Sequence, residues 1–438
     1  MADVLVVNGA RTAFGRFGGA FRGVSAIQLG VEASAGALRR SQVALEAVDH
    51  AVFGSVIQTS PDAVYLARHI GLGVGLRVDC PAVTVNRLCG SGLEAIAYGA
   101  RLIQTGEAEV VLAGGCENMT QAPFVVRGAR EGLPLGPTVF EDTLWAALAA
   151  SPTGPSMADT AENVADRYRI SRDAQDEFAA RSHTLAARAR AEGRFAEEIV
   201  PVRAPGPRGA QATVIDDEHI RPEVTAERLG QLPARFRQHG TVTAGNSSGI
   251  NDGAAAVVLA DARAAARLRL RHLGRLVASA TVGVPPEIMG IGPVPASREA
   301  LSRAELTVSD MNVIEVNEAF AAQYLAVEKE LGLDRARVNP NGGAIALGHP
   351  IGASGARLVL TLLYELRRRG AGTASRPCAS AEARGSQPWW RRRPDPFVAL
   401  TDRRVNARRA ADHAPAPHVT PRRNVRSSAT IRRCPSAN

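Results

Sequence analysis

The chain has 438 residues, 45% of them apolar and 22% charged, with a formal net charge of +9. That length exceeds one ordinary domain, and the apolar share is enough for a sizeable core or two, which excludes a disordered or fibrous chain. The charge is uneven: residues 372–438 carry 14 Arg against 4 acidic residues, or +10, which leaves residues 1–371 at −1 and excludes a nucleic-acid-binding body.

Lys329 is the only lysine, so the arginine excess reads as the product of GC-rich coding and not as a selected basic patch. The cysteines Cys80, Cys89, Cys116, Cys378 and Cys434 form no CxxC pair and no metal-ligand spacing. The opening "MADVLVVNGARTAFG" lacks the apolar core of a secretory signal, and no apolar run is long enough for a membrane span. The expectation is a cytoplasmic protein with reduced thiols, no membrane partner and no metal.

Taken in chain order, "ADVLVV", "HAVFGSVI", "AVTV" and "EVVLAGG" read as buried strands, with "AIQLGVEASAGALRR" and "GLEAIAYGARLIQTG" as helices between them. This alternation predicts an α/β fold. It stops near Pro123, and from there to about Gly240 the chain is rich in Pro, Arg and Gly, with one good helix from an N-cap at Ser171 to a stop at Gly193. Alternation resumes at "GAAAVVLADARAAARL". The later stretch "LTVSDMNVIEVNEAF" follows the apolar and polar order of "LEAVDHAVFGSVIQT", a sign of two halves built alike.

Three stretches can carry chemistry. In "PAVTVNRLCGSGLEAIAYGARLIQTG" a strand turns through glycines into a helix with Cys89 at the turn, where the helix N-terminus favours a thiolate. A small buried apolar cysteine fits the same stretch, which alone leaves both readings open. In "NPNGGAIALGHPIGASGARLVLTLLYEL" His349 sits between Gly348 and Pro350 before a long amphipathic helix, placed either to move a proton or to bond a loop carbonyl. "VIEVNEAFAA" puts Asn317 and Glu318 at the end of an apolar strand, within reach of a site or serving as a helix cap.

The strings "NRLCGSG", "GGCENM", "MADTAEN", "GTVTAGNSSGINDGAA", "NEAF" and "NPNGGAIALGHPIGASGAR" occur in that order, and together they resemble the thiolase family of acetyl-CoA acetyltransferases and 3-ketoacyl-CoA thiolases. The resemblance runs from about Val4 to Ala371. It implies two similar layered α/β halves, with five-stranded sheets, and an inserted loop domain on the coenzyme A side. The implied divisions are residues 1–121 for the N-terminal half, 122–246 for the insertion, 247–271 for the return to the first half and 272–371 for the C-terminal half. The implied reaction is acyl-CoA:acetyl-CoA C-acyl transfer, as Claisen condensation or thiolysis, by a homodimer or homotetramer whose coenzyme A thioesters are substrates, with no cofactor.

By the same resemblance Cys89 is the nucleophile that carries the acyl group, His349 activates it, and Asn317 holds a water that joins His349 at the thioester oxygen. Ser248 in "GNSSG" and Arg221 in "DEHIRP" match positions that contact the pantetheine and nucleotide parts of coenzyme A. Met157 and Phe320 match the acyl and pantetheine channel. The insertion departs from the family at Ala158 and Asp159, and at Ser156, where short-chain biosynthetic members commonly have His, so acyl-chain preference stays open.

Thiolases continue with "GLATLCIGGGQG", whose Cys deprotonates the second acetyl-CoA and whose glycines complete a second oxyanion hole. This string is missing. One base lost from an Arg codon at 372 would account for it, because the observed codons from 373 to 385, read one base earlier, permit His-Gly-Leu-Ala-Thr-Leu-Cys-Ile-Gly-Gly-Gly-Gln-Gly at every position. Residues 372–438 are therefore expected to be an out-of-frame, disordered tail. Cys378 lies between Pro377 and Ala379 and does not inherit the acid/base role, while Ala381 stands where a glycine N–H is needed. The competing reading is an impaired thiolase-like protein that binds coenzyme A or assembles without the second cysteine.

Overall fold

The computed structural model describes residues 2–133, 135–148, 155–206 and 210–370, and two further strands at Pro377–Ala381 and Arg393–Thr401. The first half contains β1 (Val4–Thr12), α1 (Ala26–Ser41), β2 (His50–Gly54), β3 (Ala82–Val85), α2 (Ser91–Thr105) and β4 (Val110–Asn118). Local signals set its helix ends. Ser25 caps α1 by accepting the Gln28 N–H, and Gly106 ends α2 in the left-handed conformation at φ +78.

The insertion holds α3 (Met157–Tyr168) and α4 (Arg172–Ala191), after which β5 (Asn251–Asp261) returns to the first half. Helix α4 starts at the Ser171 cap, as expected. Helix α3 was not expected; its signal is the capping box that Ser156 forms with Asp159.

The second half contains β6 (Gly274–Val284), α5 (Pro293–Arg303), β7 (Val313–Val316), α6 (Ala321–Leu331), α7 (Ile351–Arg368), β8 (Pro377–Ala381) and β9 (Arg393–Thr401). The strands run β7-β8-β9-β6-β1-β5-β4-β2-β3 across one curled sheet. Strand β2 is parallel to β4, β4 antiparallel to β5, and β5 antiparallel to β1. In the other half β7 is parallel to β8, β8 antiparallel to β9, and β9 antiparallel to β6. The halves are thus built alike, and short turns at Leu45–Ala47 and Val308–Asp310 lead into the matching strands β2 and β7. They differ from the expectation of two five-stranded sheets: among the described residues the second half has four strands, and β1 joins it to the first by pairing Val4 with Leu276.

Helix α7 reads as amphipathic but is buried on every side from Ile351 to Leu366. It packs with α2 against the inner sheet face, where Leu93, Ile96, Val257, Leu259, Val359 and Leu363 share one core. Two of its polar residues find partners there, although Thr361 Oγ1 and the Nε and Nη2 atoms of Arg357 are buried without a hydrogen bond. Arg357 pairs with Glu315 of β7 at 3.2 Å, and Glu365 accepts from Asn341 at 3.0 Å.

Strands β8 and β9 also correct the expectation that everything after residue 371 lies outside the fold. Each fills a place beside β7 or β6, where ladder bonds need only backbone N–H and C=O groups. The rest of the expected tail, with Cys434, lies outside the described residues.

Candidate active site

Cys89 lies in the turn between β3 and α2, half-buried beside Ile57, Met119, Leu144 and Ile351. The turn is tightly tied. Ser91 Oγ donates to the Leu88 carbonyl at 2.6 Å and accepts the Arg87 N–H at 2.8 Å, and Leu88 N donates to Asn86 Oδ1 at 3.0 Å. Leu88 is held at φ +47, which a non-glycine side chain resists. The strained residue lies one place before Cys89, in the turn that leads directly into the first turn of α2, where backbone N–H groups lack intrahelical partners.

The second part of the site is the loop before α7. Gly348 has φ +102, and a Cβ there would lie 2.4 Å from Asn251 Cγ, so only glycine fits. His349 follows, buried, with its backbone N–H donated to Asn251 Oδ1 at 3.1 Å. Ser354 Oγ lies 2.6 Å from His349 Nδ1 and 2.9 Å from the Pro350 carbonyl, and on the other side of the ring Nε2 faces the amide NH2 of Asn317, which can only donate. The proton of the neutral ring therefore sits on Nδ1. Nε2 carries no proton and accepts from Asn317 Nδ2 at 3.3 Å. Burial, with Arg357 nearby, lowers the imidazole pKa to about 3, so the ring is neutral at pH 7.

The two parts meet through helix packing. A Cβ on Gly92 of α2 would fall 2.7 Å from the Ala356 N atom and 2.9 Å from the Gly352 O atom of α7, so the first turns of the two helices lie in close contact. Glu117 locks this junction, accepting backbone N–H groups from Val56, Ile57 and Gly352 at 3.0 to 3.1 Å. Sequence reasoning missed Glu117, Asn251 and Ser354. All three lay within strings already singled out, Glu117 in "GGCENM", Asn251 in "GTVTAGNSSGINDGAA" and Ser354 in "NPNGGAIALGHPIGASGAR", but nothing local marked their roles.

The remaining candidates form a second cluster. Asn317 is buried at the end of β7, and Ser247 bridges to Phe320 while Ser248 N donates to the Ala319 carbonyl at 3.0 Å. Ser248, Asn317 and Phe320 are thus brought together. Exposed Arg221 joins them through a neighbour, since His219 lies against Gly249: a Cβ there would be 2.6 Å from His219 Cε1. Met157 is the half-buried first residue of α3, which packs on α6. Strand β8 runs beside β7 with Ala381 opposite Val316, so its end reaches the level of Asn317.

Residues 4–263 match the family described as thiolase, N-terminal domain, and residues 270–387 match thiolase, C-terminal domain. The chain is 48% identical over 371 residues to the mitochondrial 3-ketoacyl-CoA thiolase of Homo sapiens, covering 84% of this chain and 93% of that protein. It is 46% identical over 376 residues to the acetyl-CoA acetyltransferase of Cupriavidus necator, covering 85% and 94%. The crystal structure of human mitochondrial 3-ketoacyl-CoA thiolase in complex with CoA superposes with a TM-score of 0.86 at 44% identity, over 92% of this chain and 98% of that one.

Proposed function

The chain belongs to the thiolase family of acyl-CoA:acetyl-CoA C-acyltransferases, and from that premise we propose that it transfers acyl groups through a thioester on Cys89. The observation that carries this reading is the close packing of the first turns of α2 and α7, each of which directly follows one of the two candidate residues, Cys89 and a histidine with an unprotonated Nε2. His349 Nε2 takes the thiol proton, and the thiolate attacks the carbonyl of an acyl-CoA. The Nε2–H so formed, with a water held by Asn317, then donates to the oxygen that becomes negative. The tetrahedral adduct then expels coenzyme A thiolate, which recovers the proton as the acyl group stays on Cys89.

Arg221 and Ser248 are proposed to hold coenzyme A, and Met157 and Phe320 to line its channel; their support is the cluster around Ser247–Phe320. The test is mass spectrometry after incubation with acetyl-CoA. An acetyl adduct on the Cys89 peptide, lost in Cys89→Ala, is expected. An adduct on Cys80 or Cys116, or none in folded protein, would remove the assignment.

We also propose that the chain is read out of frame from codon 372. Support comes from the place of β8: its sequence is "PCASA", whereas the restored frame puts Leu-Cys-Ile-Gly beside β7 from 378 to 381. Condensation needs a base for the acetyl-CoA methyl proton, which the restored Cys at 379 would supply. A homo-oligomer belongs to the same proposal, supported by Phe124, Leu135, Phe140 and Trp145, which stand exposed on one segment. So does a reducing compartment, the cytoplasm, given the buried thiols Cys80 and Cys116.

A further inference from the structure

Helix α4 reaches both clusters with two consecutive residues. Ser182 Oγ donates to Glu318 Oε2 at 2.6 Å and accepts the Gly343 N–H at 3.1 Å. Glu318 follows Asn317 directly and also accepts from Asn339 Nδ2 at 2.8 Å and Ile345 N at 3.3 Å. Ser182 thereby ties together the loop that carries Asn317 and the start of the loop that leads to His349.

The next residue, His183, is 3% exposed and points to the other side. Its Nδ1 accepts the backbone N–H of Arg221 at 3.2 Å, which places the ring proton on Nε2. His219 stacks on it with centroids 6.3 Å apart, and His219 in turn lies against Gly249, next to Ser248. Burial lowers the His183 pKa to about 3 and the His219 pKa to about 4, so both rings are neutral at pH 7, as an accepting Nδ1 requires. The far end of the same segment is fixed separately: Asp217 is bound by two nitrogens of buried Arg11 at 2.7 and 2.9 Å, and Glu218 accepts from Arg16 N and Ala20 N at 3.0 Å.

We infer that His183 is a positioning residue for coenzyme A binding: with its neighbour Ser182 it fixes the segment carrying Arg221 relative to the Asn317 loop, so that the ligand is held in line with Cys89. This rests on the reading that Arg221 contacts coenzyme A. A histidine serves here because a neutral ring offers one acceptor nitrogen on a stiff, two-torsion side chain, with an aromatic face left for His219.

The experiment measures coenzyme A affinity by calorimetry, and the rate of Cys89 acylation at saturating acetyl-CoA, in the full chain and its variants. His183→Leu removes the acceptor and should weaken coenzyme A binding about tenfold, the usual worth of one buried hydrogen bond, while saturated acylation stays within about twofold. His183→Asn puts Oδ1 where Nδ1 stood and should recover most of the affinity, a rescue that a merely space-filling role would not show. Unchanged affinity in His183→Leu overturns the inference, as does His183→Asn binding no better than His183→Leu at equal thermal stability. Arg221→Ala separates the two claims. If it binds coenzyme A normally while His183→Leu does not, the Arg221 assignment fails and His183 acts through the rest of the segment. If Arg221→Ala is weakened and His183→Leu is not, the reverse holds.

Discussion

Strands β4 and β5 occupy the same two places in the first half that β8 and β9 occupy in the second, and their sequences have little in common. Strand β4 reads "VVLAGGCEN", every residue buried, and β5 reads "NDGAAAVVLAD", buried up to its last residue. Strand β9 reads "RPDPFVALT" and places Pro396 opposite Thr281 and Pro394 opposite Gly283, where neither can donate a ladder bond. Topology therefore does not depend on the strand's own residues here. The flanking elements α7, β7 and β6 define the places, and backbone pairing fills them. Stability and chemistry are different matters, because two prolines, an Arg and an Asp fill the first four positions of β9 and neither β8 nor β9 contains the glycine amides an oxyanion needs.

Restoring one base at codon 372 is the largest change that would erase this contrast. The repaired chain should thiolyse acetoacetyl-CoA at least about 10³-fold faster than the chain as it stands, since both an acid/base and oxyanion donors are regained. It should also melt at a higher temperature. Equal turnover by the two proteins, purified side by side, would show that some other group, Cys378 included, acts as the base.

The first acylation should be indifferent to that repair, because its residues all precede 372. His349→Ala tests the claim: Cys89 acylation, followed by the burst of released coenzyme A, should slow by about 10² or more in the original and in the repaired chain alike. An unchanged burst would make His349 structural.

The smallest expected effect is that of Ser354→Ala, which removes the acceptor that keeps the proton on His349 Nδ1. Loss of one hydrogen bond should slow acylation about tenfold, with Ser354→Thr recovering part of it. Nitrogen NMR of the imidazole should show a mixed tautomer in Ser354→Ala, and an unaltered Nδ1–H spectrum would break the link between Ser354 and the base.

Much of the fold was legible in local signals. The N-cap at Ser171, the apolar strand runs and the turn around Cys89 are written within a few residues of where they act. The site was legible only as types of residue at turns. That Asn251 holds the His349 N–H, 98 positions away, or that Ser182 reaches Glu318 across 136, leaves no trace in either neighbourhood.

By itself, then, the sequence determined the α/β alternation, the helix ends, and the two turns with Cys89 and His349, because dihedral preference, periodicity and capping act over one or two turns of chain. Only the tertiary structure decided that α7 is buried all round, that Arg357 meets Glu315, that the His349 proton sits on Nδ1, and that "PCASA" and "RPDPFVALT" take places in the sheet. Those outcomes depend on which distant groups pack together once the halves close on α2 and α7, and a buried polar group takes the partner that packing brings to it.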